Sequence, residues 1–107
     1  MTPFSPIDER LKALNITLPA PPQPFGAYVE AVQSGNLLFL SGMLPVENKK
    51  PRYTGVIGQN LSLEDGRQAA RLACLNALAA AKEHLGSLDR VAKVVRLGVA
   101  GFVQSLD

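Results

Sequence analysis

An α+β domain, with a long helix laid on one face of a sheet, is the fold class this 107-residue sequence predicts. Three observations carry that reading. Pro24 to Pro45 holds two strand-like runs around a Ser34-Gly35-Asn36 turn, the stretch between Ser62 and Gly86 has helical periodicity, and a valine-rich run follows from Val91 to Val103. The resulting order is helix, hairpin, a further short strand, helix, strand. No internal repeat or low-complexity tract interrupts it.

The chain opens with a short helix. Ser5 suits its N-cap, Pro6 fits the first helical position, and Asp8 with Glu9 puts negative charge in the first turn. Ile7, Leu11 and Leu14 recur at helical spacing, so one side is apolar, and the helix ends near Asn15. Pro19, Pro21, Pro22 and Pro24 then hold the chain extended, because proline fixes φ and disfavours helix in the residue before it. Residues 1–24 read as a helix and proline-rich arm, and residues 25–107 as a partial α+β domain on which the arm packs.

Tyr28 to Ser34 alternates, with Tyr28, Glu30, Val32 and Ser34 on one face and Val29, Ala31 and Gln33 on the other. Leu37 to Leu40 is continuously apolar, the pattern of a strand covered on both faces. Between them Gly35 or Asn36 supplies the positive φ that a tight hairpin demands. Asn48 to Pro51 is loop-like, and Tyr53 to Ile57 forms a short strand before Gly58.

The second helix is the best-marked element. Ser62 and Asp65 make a weak capping box, since glutamate or glutamine is the usual partner at the third position. Ala70, Cys74, Leu78, Ala81 and Leu85 form a predicted buried stripe, widened by Leu72 and Leu75, with Arg67, Arg71 and Lys82 at its margins. Gly86 is the C-terminal stop. Val91 to Val103 reads as a strand, with Gly98 and Gly101 marking a bulge or a close backbone approach.

Composition excludes several function classes. A chain that is 47% hydrophobic and 19% charged is globular rather than disordered. A net charge of +2 is too mild to track a nucleic acid, and Lys49, Lys50 and Arg52 have no aromatic stacking platform beside them. No apolar run is long enough for a membrane span, and no secretory signal is visible. One cysteine, Cys74, cannot form an intramolecular disulfide, so a reducing cytoplasm is the expected location.

Familiar catalytic constellations are mostly absent. A single histidine and a single cysteine build no metal cluster, so no metal site is expected. His84 suits the C-terminal end of a helix, and Cys74, on the apolar stripe without a basic neighbour, reads as a small core residue. Gly55 and Gly58 precede a helix but lack a Walker lysine. The acidic pairs Asp8/Glu9 and Glu64/Asp65 suit helix N-termini better than acid–base work. What remains is a polar group of residues around the hairpin. Tyr28 brings a phenol, Ser41 a hydroxyl, and Gly42 a backbone that a ligand can approach without side-chain obstruction.

Gly26-Ala27-Tyr28, Val32, Ser34-Gly35-Asn36-Leu37, Leu40-Ser41-Gly42 and Leu44-Pro45, followed by Arg67-Gln68-Ala69-Ala70 to Asn76, Leu88-Asp89-Arg90-Val91 and the Val94 to Val103 run, stand in a characteristic order. In that order and spacing the chain resembles the RidA/YjgF family, also called endoribonuclease L-PSP-like. It is closest to the longer subgroup with an extra N-terminal helix. The resemblance runs from about Pro19 to the end.

It implies a chorismate-mutase-like (RidA-type) mixed sheet with helices on one face, assembled as homotrimers with ligand clefts between subunits. The resemblance implies the chemistry of the family's active members, hydrolysis of reactive enamines and imines to 2-keto acids and ammonia, with no cofactor. Tyr28 matches the family's cleft tyrosine and Gly42 the glycine lining the site, with Ser41 and Met43 beside it. Met43 stands where active members commonly have glutamine. The resemblance puts the substrate-binding arginine and a late acidic residue beyond Asp107, and none of Arg52, Arg67, Arg71, Arg90 or Arg96 matches that arginine's motif. A fragment of a longer protein, with negligible activity by itself, is therefore expected. The alternative is a non-catalytic trimer of the same family that binds small metabolites.

Overall fold

The computed structural model describes residues 6–20, 31–47, 50–51 and 53–99. They form helix α1 (Pro6–Ala13), strands β1 (Ala31–Ser34) and β2 (Leu37–Leu40), a second pair β3 (Val46–Glu47) and β4 (Lys50–Pro51), helix α2 (Leu63–Leu85) and a short 3-10 helix, Leu88–Arg90. The first two strands pair with each other, as do the second two, both antiparallel. The chain is thus α+β, as the order of sequence patterns predicts.

The β1–β2 connection has two residues, with Ser34 opposite Leu37 and Gly35 at φ 58°. Positive φ at the first loop position matches the right-handed twist of the flanking strands. Val32 lies opposite Phe39 and Gln33 opposite Leu38. Ala31, Gln33, Leu38 and Leu40 therefore share one face, and Val32, Ser34, Leu37 and Phe39 the other. The first face meets α2, where His84 Nε2 lies 3.1 Å from Gln33 Oε1. The second is open, with Phe39 57% exposed and Val32 53%. Leu37–Leu40 is thus not covered on both faces: the helix lies on one face, and no described element lies on the other. Residues 28–30 of the expected longer first strand lie outside the described residues.

α2 is defined at both ends by its own sequence. Asp65 N–H donates to Ser62 Oγ, and Ser62 N–H donates to Asp65 Oδ2, both at 3.0 Å. Aspartate therefore completes the capping box that looked weak in sequence. Gly86 closes the helix in the left-handed conformation at φ 84°, donating its N–H to the Lys82 carbonyl. Gly66 sits in the first turn, where a Cβ would come within 2.5 Å of Ile57 Cδ1, so the loop before the helix packs directly onto its backbone.

The buried face of α2 differs from the predicted stripe. Asn76, Ala79 and Ala80 face inward at spacings of three and four, with Ala81 beside them, whereas Ala70 and Cys74 are exposed and Leu78 and Leu85 half-buried. Hydrophobicity alone favours the leucine-bearing rows. Contact with a hairpin favours the small residues, which let the helix axis come closer. Leu88, 5% exposed, is the one large apolar side chain buried among the described residues.

Two other expectations change. Lys50–Pro51, read as loop, pairs with Val46–Glu47, a short ladder in which proline's missing N–H is tolerated. Tyr53–Ile57 forms no strand. Gly55 and Gly58 take φ of 131° and 92°, turning the chain so that Ile57 makes a single bridge with Leu61. Residues 91–99 likewise pair with no strand among the described residues, and Val94, Val95, Leu97 and Val99 are all more than 70% exposed, while residues 100–103 of the expected strand lie outside the described residues. Adjacent residues are open alike, so neither face of that run has a neighbouring layer among the described residues.

α1 ends at Ala13, with Asn15 at φ 58° and Ile16 N–H bonded to the Leu11 carbonyl. Its expected cap, Ser5, lies outside the described residues. The Ile7 N–H instead donates to Asp89 Oδ1 at 3.1 Å, giving a free helix N–H an anionic acceptor from 82 residues away. Asp8 and Lys82 approach to 3.5 Å, an exposed pair of small energetic weight. Leu14, read as part of the apolar side, is 62% exposed. The boundary expected after residue 24 falls outside the described residues. No helix among the described residues is long and apolar enough to cross a membrane.

Truncating Leu88 to alanine should cost about 2–5 kcal/mol through lost contacts and a residual cavity. Ser62→Ala should cost about 1 kcal/mol by leaving a helix N–H without its acceptor. Thermal denaturation followed by circular dichroism checks both, each kcal/mol lowering Tm by roughly 4–8 °C in a domain of this size. Equal effects from the two would contradict the core placed at Leu88.

Candidate functional site

β2 ends at Leu40, and the chain continues without regular structure from Ser41 to Pro45. Gly42 and Leu44 are exposed, whereas Ser41, Met43 and Pro45 are half-buried. A Cβ built on Gly42 would meet nothing within 4 Å. The space over its backbone is therefore open, as a ligand-lining glycine requires. Ser41 and Met43 flank it, so three of the four candidate residues form one short surface segment. Tyr28 lies outside the described residues.

The segment is tied to α2 by a residue that charge and periodicity do not single out. Asn76 is 2% exposed, and its Nδ2–H donates to the Leu44 carbonyl at 2.9 Å. A buried amide stays favourable when hydrogen-bonded, which explains an asparagine in a helix otherwise lined with alanine and leucine. A polar residue at i, with alanines at i+3 and i+4, was the available signal. A second tie runs through Gln33, whose Nε2–H donates to the Gly35 carbonyl while its Oε1 faces His84. Histidine therefore bridges helix end and hairpin in addition to suiting the helix C-terminus.

Other chemistry-bearing residues are engaged elsewhere. Arg90 donates to the Leu85 carbonyl at 3.1 Å, serving the end of α2, and Arg67 lies 3.7 Å from Glu64. A groove of about 600 Å³ runs between α1 and α2, lined by Asp8, Lys12, Asn15 and Lys82 among others, and Ser41, Gly42 and Met43 are not among its described lining residues. Its Asp8 and Lys82 already pair with each other. Cys74 is exposed rather than in the core, because it points away from the face that carries Asn76 and Ala80.

Two measurements follow. Gly42→Ala should leave stability within about 0.5 kcal/mol, because its Cβ enters open space; a larger fall in Tm would mean the segment packs differently. Cys74 should react fully with Ellman's reagent without denaturant, whereas a thiol that titrates only on unfolding would return it to the core.

Comparison with known proteins places this geometry in context. Residues 8–106 match the family described as "YjgF/chorismate mutase-like, putative endoribonuclease". Protein TCP17 of Trypanosoma cruzi is 41% identical over 95 residues, covering 89% of this chain and 58% of that protein. A crystal structure described as a putative endoribonuclease, from Shewanella oneidensis MR-1, superposes with a TM-score of 0.73 at 35% identity, over 78% of this chain and 55% of the other. A protein of unknown function from Agrobacterium tumefaciens gives 0.70 at 40% identity, over 83% and 54%. The chain thus spans a little over half the length of each of these relatives. With the family model matched over residues 8–106 and the superposition on the Shewanella structure in agreement with it, the chain belongs to the YjgF/chorismate mutase-like family.

Proposed function

We propose that this chain belongs to a protein that binds small imines, enamines or 2-keto acids and hydrolyses the imines to a 2-keto acid and ammonia. The observation that carries this reading is the open Gly42 backbone, flanked by Ser41 and Met43, in a member of this family. Water adds to the imine carbon, giving a carbinolamine. Collapse of that carbinolamine, with a proton passed to nitrogen, forms the carbonyl and expels ammonia. An enamine first takes up a proton at carbon to reach the same imine. In this scheme Gly42 N–H and C=O and the Tyr28 phenol orient the substrate, Ser41 adds a hydroxyl, and Met43 forms an apolar wall. An arginine from elsewhere in the assembly would hold the carboxylate through two parallel hydrogen bonds. No metal or organic cofactor enters the scheme.

The assembly in this proposal is a homotrimer of the complete protein, with the cleft between subunits. The open face of Val32, Leu37 and Phe39 supports an association of copies, since contiguous exposed apolar surface commonly marks a contact site. The unpaired Cys74 suits a reducing cytoplasm. Met43 in place of an amide supports a second reading, a metabolite-binding trimer without turnover, because orienting a small polar ligand relies on a few well-placed polar groups.

Semicarbazide trapping of aminoacrylate separates the two readings. A rate above buffer that falls on Gly42→Val supports hydrolysis, and pyruvate binding without turnover supports the second. Neither binding nor turnover from the complete protein removes both. Tyr28→Phe should weaken pyruvate binding by roughly 3- to 10-fold, the worth of one hydrogen bond. Native mass spectrometry should give a threefold complex that Phe39→Lys breaks down; an unchanged complex would place the contact on another face.

A further inference from the structure

We infer that Asn76 is the positioning residue that sets the geometry of the Ser41–Leu44 backbone. The inference rests on the reading of that segment as a ligand site, and deepens it. Ser41 and Met43 are half-buried, Gly42 has no side chain, and the side chain of Leu44 turns outward with the residue 61% exposed. Apolar packing therefore does not fasten it at Leu44. The bond from Asn76 Nδ2 to the Leu44 carbonyl does, at 2.9 Å and across 32 residues of sequence.

The residues around that bond make it directional. Pro45 restricts Leu44 to extended backbone, which fixes the carbonyl's direction relative to the chain. Asn76 lies midway along α2, between Ala73 and Ala79–Ala80, so its own position is set by a helix capped at both ends. Fixing the Leu44 carbonyl from a rigid helix limits the orientations open to the peptide planes on either side of Gly42. Asn76 need not touch a ligand to do this.

Three forms of the complete protein test the inference: wild type, Asn76→Ala, and Ser62→Ala as a variant destabilised at the helix cap, away from the segment. Amide order parameters report the segment directly, and pyruvate affinity by NMR titration reports its consequence. Wild type and Ser62→Ala should hold Gly42, Met43 and Leu44 near about 0.85, and Asn76→Ala should drop them below about 0.6. Pyruvate affinity should fall about 10-fold or more in Asn76→Ala alone. Order parameters in Asn76→Ala that match the other two proteins would overturn the inference. If wild type binds no pyruvate, the ligand reading fails, and the order parameters alone decide the role of Asn76. If Asn76→Ala does not fold, hydrogen exchange of the side-chain amides in wild type decides. Protons of Asn76 exchanging at least about 10-fold more slowly than those of exposed Asn15 support the bond, and equal rates refute it.

Discussion

The close approach of α2 to the hairpin is the constraint on which the rest of the structure depends. A 23-residue helix presents Asn76, Ala79 and Ala80 to the strands, and alanine's single methyl leaves the two backbones near each other. Larger residues there would lift the helix and break its polar ties to Gln33 and Leu44 together. Area buried by alanines is modest, so the interface relies on fit and hydrogen bonds more than on apolar area. That explains why its capping residues are so complete. A helix with a thin apolar face has to be stable in its own right.

A second consequence is an imbalance between the two sides of the sheet. One side carries the helix, and the other carries Val32, Leu37 and Phe39 in the open. The run from Val94 to Val99 is equally uncovered. Val32, Phe39, Val94, Val95 and Val99 are β-branched or aromatic and Leu37 and Leu97 are leucines, all placed where they bury little apolar area. Among the described residues, no element covers either surface.

Much of the fold was legible in the sequence because it is written in local chemistry. Ser62, Asp65 and Gly86 fix α2, and Gly35 fixes the hairpin, through interactions spanning at most four residues. Features that depend on distant partners were harder to read. Cys74 sits on an apolar-looking row, yet the face turned inward is set by the hairpin and not by the row's hydrophobicity. Val91–Val103 has a strand's composition, but a strand needs a ladder partner, which residues 91–99 do not have among the described residues. Of the candidate site, Ser41, Gly42 and Met43 were legible as a break after an apolar run. The contribution of Asn76 was not, because a lone helical asparagine acquires meaning from the carbonyl it meets 32 residues away.

The contact between Gly66 and Ile57 has an evolutionary corollary. Because the end of the Ile57 side chain fills the space above Gly66, a methyl group at 66 requires that end to turn aside or shorten. Valine at 57 removes the 2.5 Å contact and leaves one of 3.2 Å, so alanine at 66 then needs only a small shift, and helix propensity favours the pair by up to about 1 kcal/mol at the glycine. Sequences related to this one should therefore carry isoleucine with glycine, or a smaller residue with alanine. The mixed combination of isoleucine with alanine should be depleted.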